Sequence, residues 1–194
     1  MFIIFDSIIL INNPKRGDIM YTKEKSNIEY IANKTRRCLK IQSNKIDIYS
    51  VIDKLDIKLQ KSNYVPKASF GRIKRVKNSF VLKLPANLTE CQQRIYIAKE
   101  IGHLLLHLGY NIENKDIRYT RKIEFGKISL FELQEQAKFF SYAFLLPKAE
   151  LKEVLEKNII SIGDTINYNF ETVAKEFGLE ERFVKDRIKL LESE

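Results

Sequence analysis

Two histidines are the only imidazoles in this 194-residue chain, and they stand four residues apart, at His103 and His107, with Glu100 three residues before the first. On a helix advancing about 100° per residue these three side chains share one face, with Lys99 at its margin. Imidazoles at such spacing can grip a divalent metal, and a neighbouring carboxylate can take a proton from a metal-bound water. That is the chemistry of the pattern H-E-x-x-H. Here the stretch reads Lys99-Glu100-Ile101-Gly102-His103, so base and second ligand are in place and a lysine stands where the first imidazole is needed. To ligate zinc, Lys99 must lose its proton, and bringing an amine of pKa about 10.4 to neutrality costs about 4 to 5 kcal/mol. A protonated Lys99 sets an ammonium beside the ion's place, where it could bridge Glu100 to a second carboxylate and mimic the metal's charge. An ordinary polar helix face stays open as the bland alternative, since short motifs arise by chance.

These residues need a helix to carry them, and the pattern predicts one from near Glu90 to about Gly109, with Thr89 or Asn87 as its cap. Leu104, Leu105, Leu106 and Leu108 on its flank read as core, and Gly102 inside it suggests close approach of another backbone, such as a neighbouring strand. Upstream, helical spacing predicts a helix from about Ser26 to Leu39 and a shorter one from Asp47 to Leu55, with Asp47 as cap. Alternation then predicts three short strands at Ile57 to Gln60, Ser69 to Val76 and Ser79 to Pro85, joined by turns at Asn63 to Pro66 and Lys77-Asn78 into a small antiparallel or mixed sheet. Tyr110 to Lys127 is polar and weakly patterned and reads as a loop. A second long helix fits Leu130 to Leu146, with Ser129 as cap and Leu133, Ala137, Phe140 and Phe144 on one face. The tail from Phe170 to Leu191 reads as two short helices about Gly178.

The composition bounds the whole. Forty-four per cent hydrophobic and 30% charged residues make a globular chain of one-domain size. Cys38 and Cys91 form no C-x-x-C pair, which points to a reducing, cytoplasmic setting without a disulfide. The apolar run from Phe2 to Ile11 contains Asp6, is too short to span a bilayer and lacks a signal peptide's basic start and cleavage site. Residues 1–19 therefore read as an N-terminal extension, or as an artefact of start-codon choice, against the alternative of a strand added to the sheet edge.

Two longer stretches carry a specific likeness. The run Ala98-Lys99-Glu100-Ile101-Gly102-His103-Leu104-Leu105-Leu106-His107, followed downstream by Glu135-Gln136-Ala137-Lys138-Phe139-Phe140-Ser141-Tyr142-Ala143-Phe144-Leu145-Leu146-Pro147, resembles the two signatures of the ImmA/IrrE family of zincin-like metallopeptidases. The likeness runs from about Met20 to the C-terminus. It implies an α+β zincin-like domain at 20–150 and a small helical tail at 151–194. It also implies a zinc held by both motif histidines and a carboxylate on the second helix, with the motif glutamate as general base. Carried across, Glu100 is the base and His103 the second histidine, while Lys99 takes the place of the first. Counting back from Pro147, Gln136 stands where the carboxylate is expected, with Glu135 adjacent as the substitute ligand and Glu132 one turn earlier. His107 falls outside the primary ligand set, near the helix end, where a supporting role or a complement to the helix dipole suits it.

The resemblance implies a cytoplasmic regulatory protein of bacterial or mobile-element type. Active relatives cut a helix-turn-helix repressor or a similar regulator, and an altered site implies a relative that binds such a protein without cutting it and needs no zinc. An active zinc endopeptidase is the alternative. Thirty-four basic against 25 acidic residues leave a net charge of +9, and the tail is helix-turn-helix-like, which raises nucleic acid as a third reading. Glu180-Glu181 would face phosphates at the start of its second helix, and Asp186 interrupts Arg182, Lys185 and Arg187, so docking onto the body is the better expectation. The basic run Arg72 to Lys77 reads as a charged, solvated strand edge.

Overall fold

The computed structural model describes residues 16–63, 73–77, 79–117, 129–162 and 165–193. The first elements among the described residues are α1 (Arg16–Cys38) and α2 (Ile48–Lys54), the latter opened by the Asp47 carboxylate accepting from the amides of Tyr49 and Ser50 at 3.1 and 3.2 Å. Strands β1 (Ile57–Ser62), β2 (Ile73–Val76) and β3 (Ser79–Pro85) follow, then α3 (Glu90–Leu106) and a minimal hairpin of β4 (Tyr110–Asn111) and β5 (Asp116–Ile117). Next come α4 (Leu130–Leu145), α5 (Lys148–Lys157), a second hairpin of β6 (Ile159–Ile162) and β7 (Thr165–Tyr168), and the closing pair α6 (Phe170–Phe177) and α7 (Glu181–Glu192). The architecture is α+β, as expected.

The main sheet is mixed, in the order β1-β3-β2. β2 and β3 form the expected hairpin, with Val76 opposite Ser79 and Lys77 at φ 56°, the left-handed twist a two-residue loop requires. β1 pairs with β3 in parallel, Ile57 opposite Phe80, so of the two expectations, antiparallel or mixed, the sheet is the mixed one, with β3 between β1 and β2. Residues 64–72, which include most of the turn expected after the first strand and the start of the second strand, lie outside the described residues, as do residues 1–15 of the expected extension and 118–127 of the expected loop. The rest of that loop, from Tyr110 on, holds the β4–β5 hairpin, whose Tyr110 ring meets Phe80 edge-on at 5.5 Å. α1 begins at Arg16, four residues before Met20.

One core joins sheet and helices: Leu82 and Leu84 of β3, Ile97 and Ile101 of α3, Phe140 and Phe144 of α4, and Val173 and Phe177 of α6 are all buried in it. The tail docks through side chains as well. Arg187, wholly buried, holds both oxygens of Glu29 on α1 at 2.6 and 2.7 Å and donates to the Leu146 carbonyl at 3.2 Å. Arg94 reaches from α3 to the carbonyl of Gly178, whose positive φ of 64° closes α6. Arg187 is thus a structural anchor and offers nothing to DNA. Among the described residues no helix is long and apolar enough to cross a membrane.

Candidate functional site

α3 and α4 carry the site, and each starts on a reciprocal cap. Thr89 and Gln92 exchange hydrogen bonds at the head of α3, and Ser129 and Glu132 do so at the head of α4. Glu132 accepts from the amide and hydroxyl of Ser129 at 2.7 and 2.8 Å, which holds its carboxyl below the usual range. Its carboxylate is therefore engaged in starting a helix. The two helices approach closely at Gly102, where an added Cβ would lie 3.0 Å from the Phe140 ring and 3.1 Å from the Ala137 carbonyl. The close neighbour that the glycine predicts is helix α4, where the sequence suggested a strand.

This approach sets Gln136 against the histidines. His107 Nε2 lies 2.9 Å from Gln136 Oε1, and His107 Nδ1 lies 2.9 Å from His103 Nδ1. The Gln136 amide nitrogen donates in turn to Glu24 on α1. Both imidazoles are buried, and burial is the main reason their pKa values fall. For His103 the neighbouring His107 and Lys99 push further, to about 3, against a hydrogen bond with Gln134. Burial thus disfavours the imidazolium form of both rings, which works against a charge on His107, the C-cap of α3.

Glu100, 5% exposed, accepts from the Ile73 amide of β2 at 3.1 Å. The expected base is thereby tied to the edge strand. Glu135 lies 4.0 Å from Lys138 and lines, with Tyr142, Asp186 and Lys189, a cavity of about 280 Å³ between α4 and α7. The structure thus joins His103, His107 and Gln136 directly, and directs Glu132 and Glu135 to other partners.

A zinc site of the kind the motif suggests needs three protein ligands, here two imidazoles and a carboxylate. Of the three implied positions, only His103 holds such a ligand: Lys99 stands at the first imidazole's place, and Gln136, at the carboxylate's, brings an amide whose oxygen faces His107 Nε2 at 2.9 Å. Among the described residues no group of three or more histidine, cysteine, aspartate or glutamate side chains could hold a metal. As arranged, the residues present do not fit that ligand set.

Sequence reasoning missed Glu24, Gln134 and the Ile73 amide. Glu24 lies 112 positions from Gln136 and has no local signature, so only the packing of α1 on α4 reveals it.

A small mixed sheet under a helix bearing Glu-x-x-His, crossed by a second helix that covers the histidines, defines a zincin-like domain. The chain belongs to the peptidase M78 family, the IrrE N-terminal-like domain, whose model matches residues 52–189. A solved Mycobacterium tuberculosis transcriptional regulator is similar to it, with a TM-score of 0.56 and 17% identity over 88% of this chain and 49% of that one. The chain spans about half the length of that regulator, and a likeness at this identity is one of fold. No curated protein matches the chain.

Proposed function

We propose that this chain is a binding member of its family that holds a regulatory protein, such as a helix-turn-helix repressor, without cleaving it. The observation that carries the reading is the contact of Gln136 with His107, an amide oxygen where a zinc-binding relative needs a carboxylate. Lys99 supports it from the other side, being a poor substitute for an imidazole at neutral pH. Glu100 supports it too, since a carboxylate accepting from the Ile73 amide is serving a strand. The family's metal would be zinc, and the relatives' proteolysis supplies the partner class. An extended segment of the partner would pair with the outer edge of β2, because β3 has a strand on each side; Lys74 and Arg75 on β2 are exposed.

The test is elemental analysis of the purified protein alongside incubation with candidate repressors. We expect zinc well below one per chain and an intact partner that co-elutes with the protein. One tightly held zinc per chain together with cleavage would reverse the reading in favour of an active endopeptidase.

A further inference from the structure

The C-terminal half of α1 and the head of α5 line an open cavity of about 500 Å³. Arg36 and Arg37 face it from α1, and Lys148 and Lys152 from α5, against the carboxylates of Glu29 and Glu150. Glu29 is already neutralised, since Arg187 holds both of its oxygens. Arg36 is only 4% exposed and donates to the carbonyls of Phe144 at 3.0 Å and Ser43 at 3.4 Å, while the Glu150 carboxylate stands 3.7 Å away, beyond hydrogen-bond range. A guanidinium that always carries its charge is thus held mainly by dipoles. Lys148 is the first residue of α5, at the positive end of the helix dipole, and Lys152, one turn on, lies 3.9 Å from Glu156. Ile41 and Pro147 add apolar surface to the same cavity.

We propose that this cavity is a docking site for an acidic peptide segment that carries apolar residues among its carboxylates, a second interaction surface apart from the zincin site. Glu24, the α1 residue that meets Gln136, lies twelve residues before Arg36, about 18 Å along the helix axis. The excess of basic side chains selects the sign of the occupant. The apolar surface selects its class: a phosphate backbone has nothing to set against Ile41 and Pro147, whereas a peptide can seat a leucine there between two carboxylates. The arginines offer forked donors that match a carboxylate, and the lysines act as point charges across from them. Because Arg36 is already fastened to the Phe144 carbonyl, little ordering of that side chain remains for binding to bring about. The site uses neither histidine, so it stands whether or not the zincin site holds a metal or cleaves a partner.

The test is fluorescence anisotropy of the full-length protein with three labelled probes: a short peptide of alternating glutamate and leucine, the same peptide with serine for leucine, and a DNA duplex. The glutamate–leucine peptide should bind, its serine counterpart more weakly, and the duplex more weakly than either. Arg37→Glu, Lys148→Glu and Lys152→Glu together reverse three exposed charges at the cavity and should lower affinity for the glutamate–leucine peptide about tenfold or more. The same triple variant should gain affinity for a peptide with lysine in place of glutamate, which a merely structural effect of the substitutions does not produce. Lys74→Glu, Arg75→Glu and Lys77→Glu reverse three exposed charges at β2 and match the first variant in net charge, yet should leave binding within about twofold. Equal losses in the two variants would mean attraction to the overall charge of +9 and overturn the site, as would a parent protein that binds no acidic peptide. Equal affinity for the leucine and serine peptides, or a duplex bound more tightly than both and released by the cavity variant, would overturn the assignment of the occupant. Thermal denaturation checks that both variants fold, and if the triple variant does not, Lys148→Glu and Lys152→Glu taken singly should each weaken the glutamate–leucine peptide, unchanged binding in both counting against the site.

Discussion

On the proposed reading, Lys99 and Gln136 are the positions at which this chain departs from a zinc peptidase, and both are read from the sequence by aligning the motif on His103. The substitutions Lys99→His and Gln136→Glu together return an imidazole and a carboxylate. They should raise zinc affinity about tenfold or more, since two of three protein ligands are then restored. Competition against a chelator of known strength measures this, and a double variant no better than its parent would show that the third ligand lies elsewhere, Glu135 being the next to test. Glu100, His103 and His107 could be found from spacing alone because a helix fixes their common face. Which atoms outside the helix they touch could not, because those contacts come from α4 and β2, far off in sequence. The same distance explains why Glu132, one turn from the expected ligand position, turns out to cap its own helix: its nearest polar partner is Ser129, three residues away.

The helices and their caps followed from local signals. Asp47, Thr89 and Ser129 each stand before an apolar-periodic run, and each accepts the expected backbone hydrogen bonds. Strand partners did not follow, because alternation states that a segment is extended and is silent on its neighbour. The parallel pairing of β1 with β3 is a consequence of tertiary packing. The β6–β7 hairpin was missed although Gly163-Asp164 separates its two β-branched runs, a pair of turn residues at the right spacing. The contact of α3 with α4 gives the sharpest test among the elements. Gly102→Ala places a methyl 3.0 to 3.1 Å from Phe140 and the Ala137 carbonyl, and the helices must part to accept it. A loss of about 1 to 3 kcal/mol is expected from such overpacking, despite alanine's better helix propensity. Ser129→Ala, which removes one half of the cap on α4, should cost about 1 kcal/mol. Denaturant titrations separate the two, and a Gly102→Ala protein as stable as the parent would mean that the interhelical contact is looser than described.

Arg187 binds the end of the chain to its beginning, and its position changes how the positive charge is to be read. Its guanidinium is buried against Glu29 and the Leu146 carbonyl, so the sequence-level picture of a basic recognition helix loses its central residue. Arg187→Met strands the Glu29 carboxylate and should cost about 3 kcal/mol. Because α6 shares one core with α3, α4 and β3, that loss should appear as a lower Tm of a single transition. A separate early transition of the tail alone would show that α6 and α7 melt independently.

Of the three basic residues that the sequence offered nucleic acid on this helix, Arg182 and Lys185 are exposed, with Lys185 paired to Glu181 at 2.8 Å and lying over the Phe170 ring. Such a face is too nearly balanced to concentrate phosphate contacts, and each contact that is made adds to the salt dependence of binding. A repressor held along β2 would instead depend on main-chain pairing and lose little affinity with salt. Replacing Arg75 with proline removes an amide on the outer edge of β2, since amides alternate along a strand and that of Ile73, two residues earlier, points away from β3 to Glu100; it should weaken partner binding while the Arg182→Ala and Lys185→Ala pair leaves it unchanged. Titrating both sets against a candidate repressor and against duplex DNA, at two salt concentrations, decides between the classes. Tight DNA binding that falls steeply with salt and disappears with Arg182 and Lys185 would make the tail the functional surface, and the altered zincin site a scaffold beneath it.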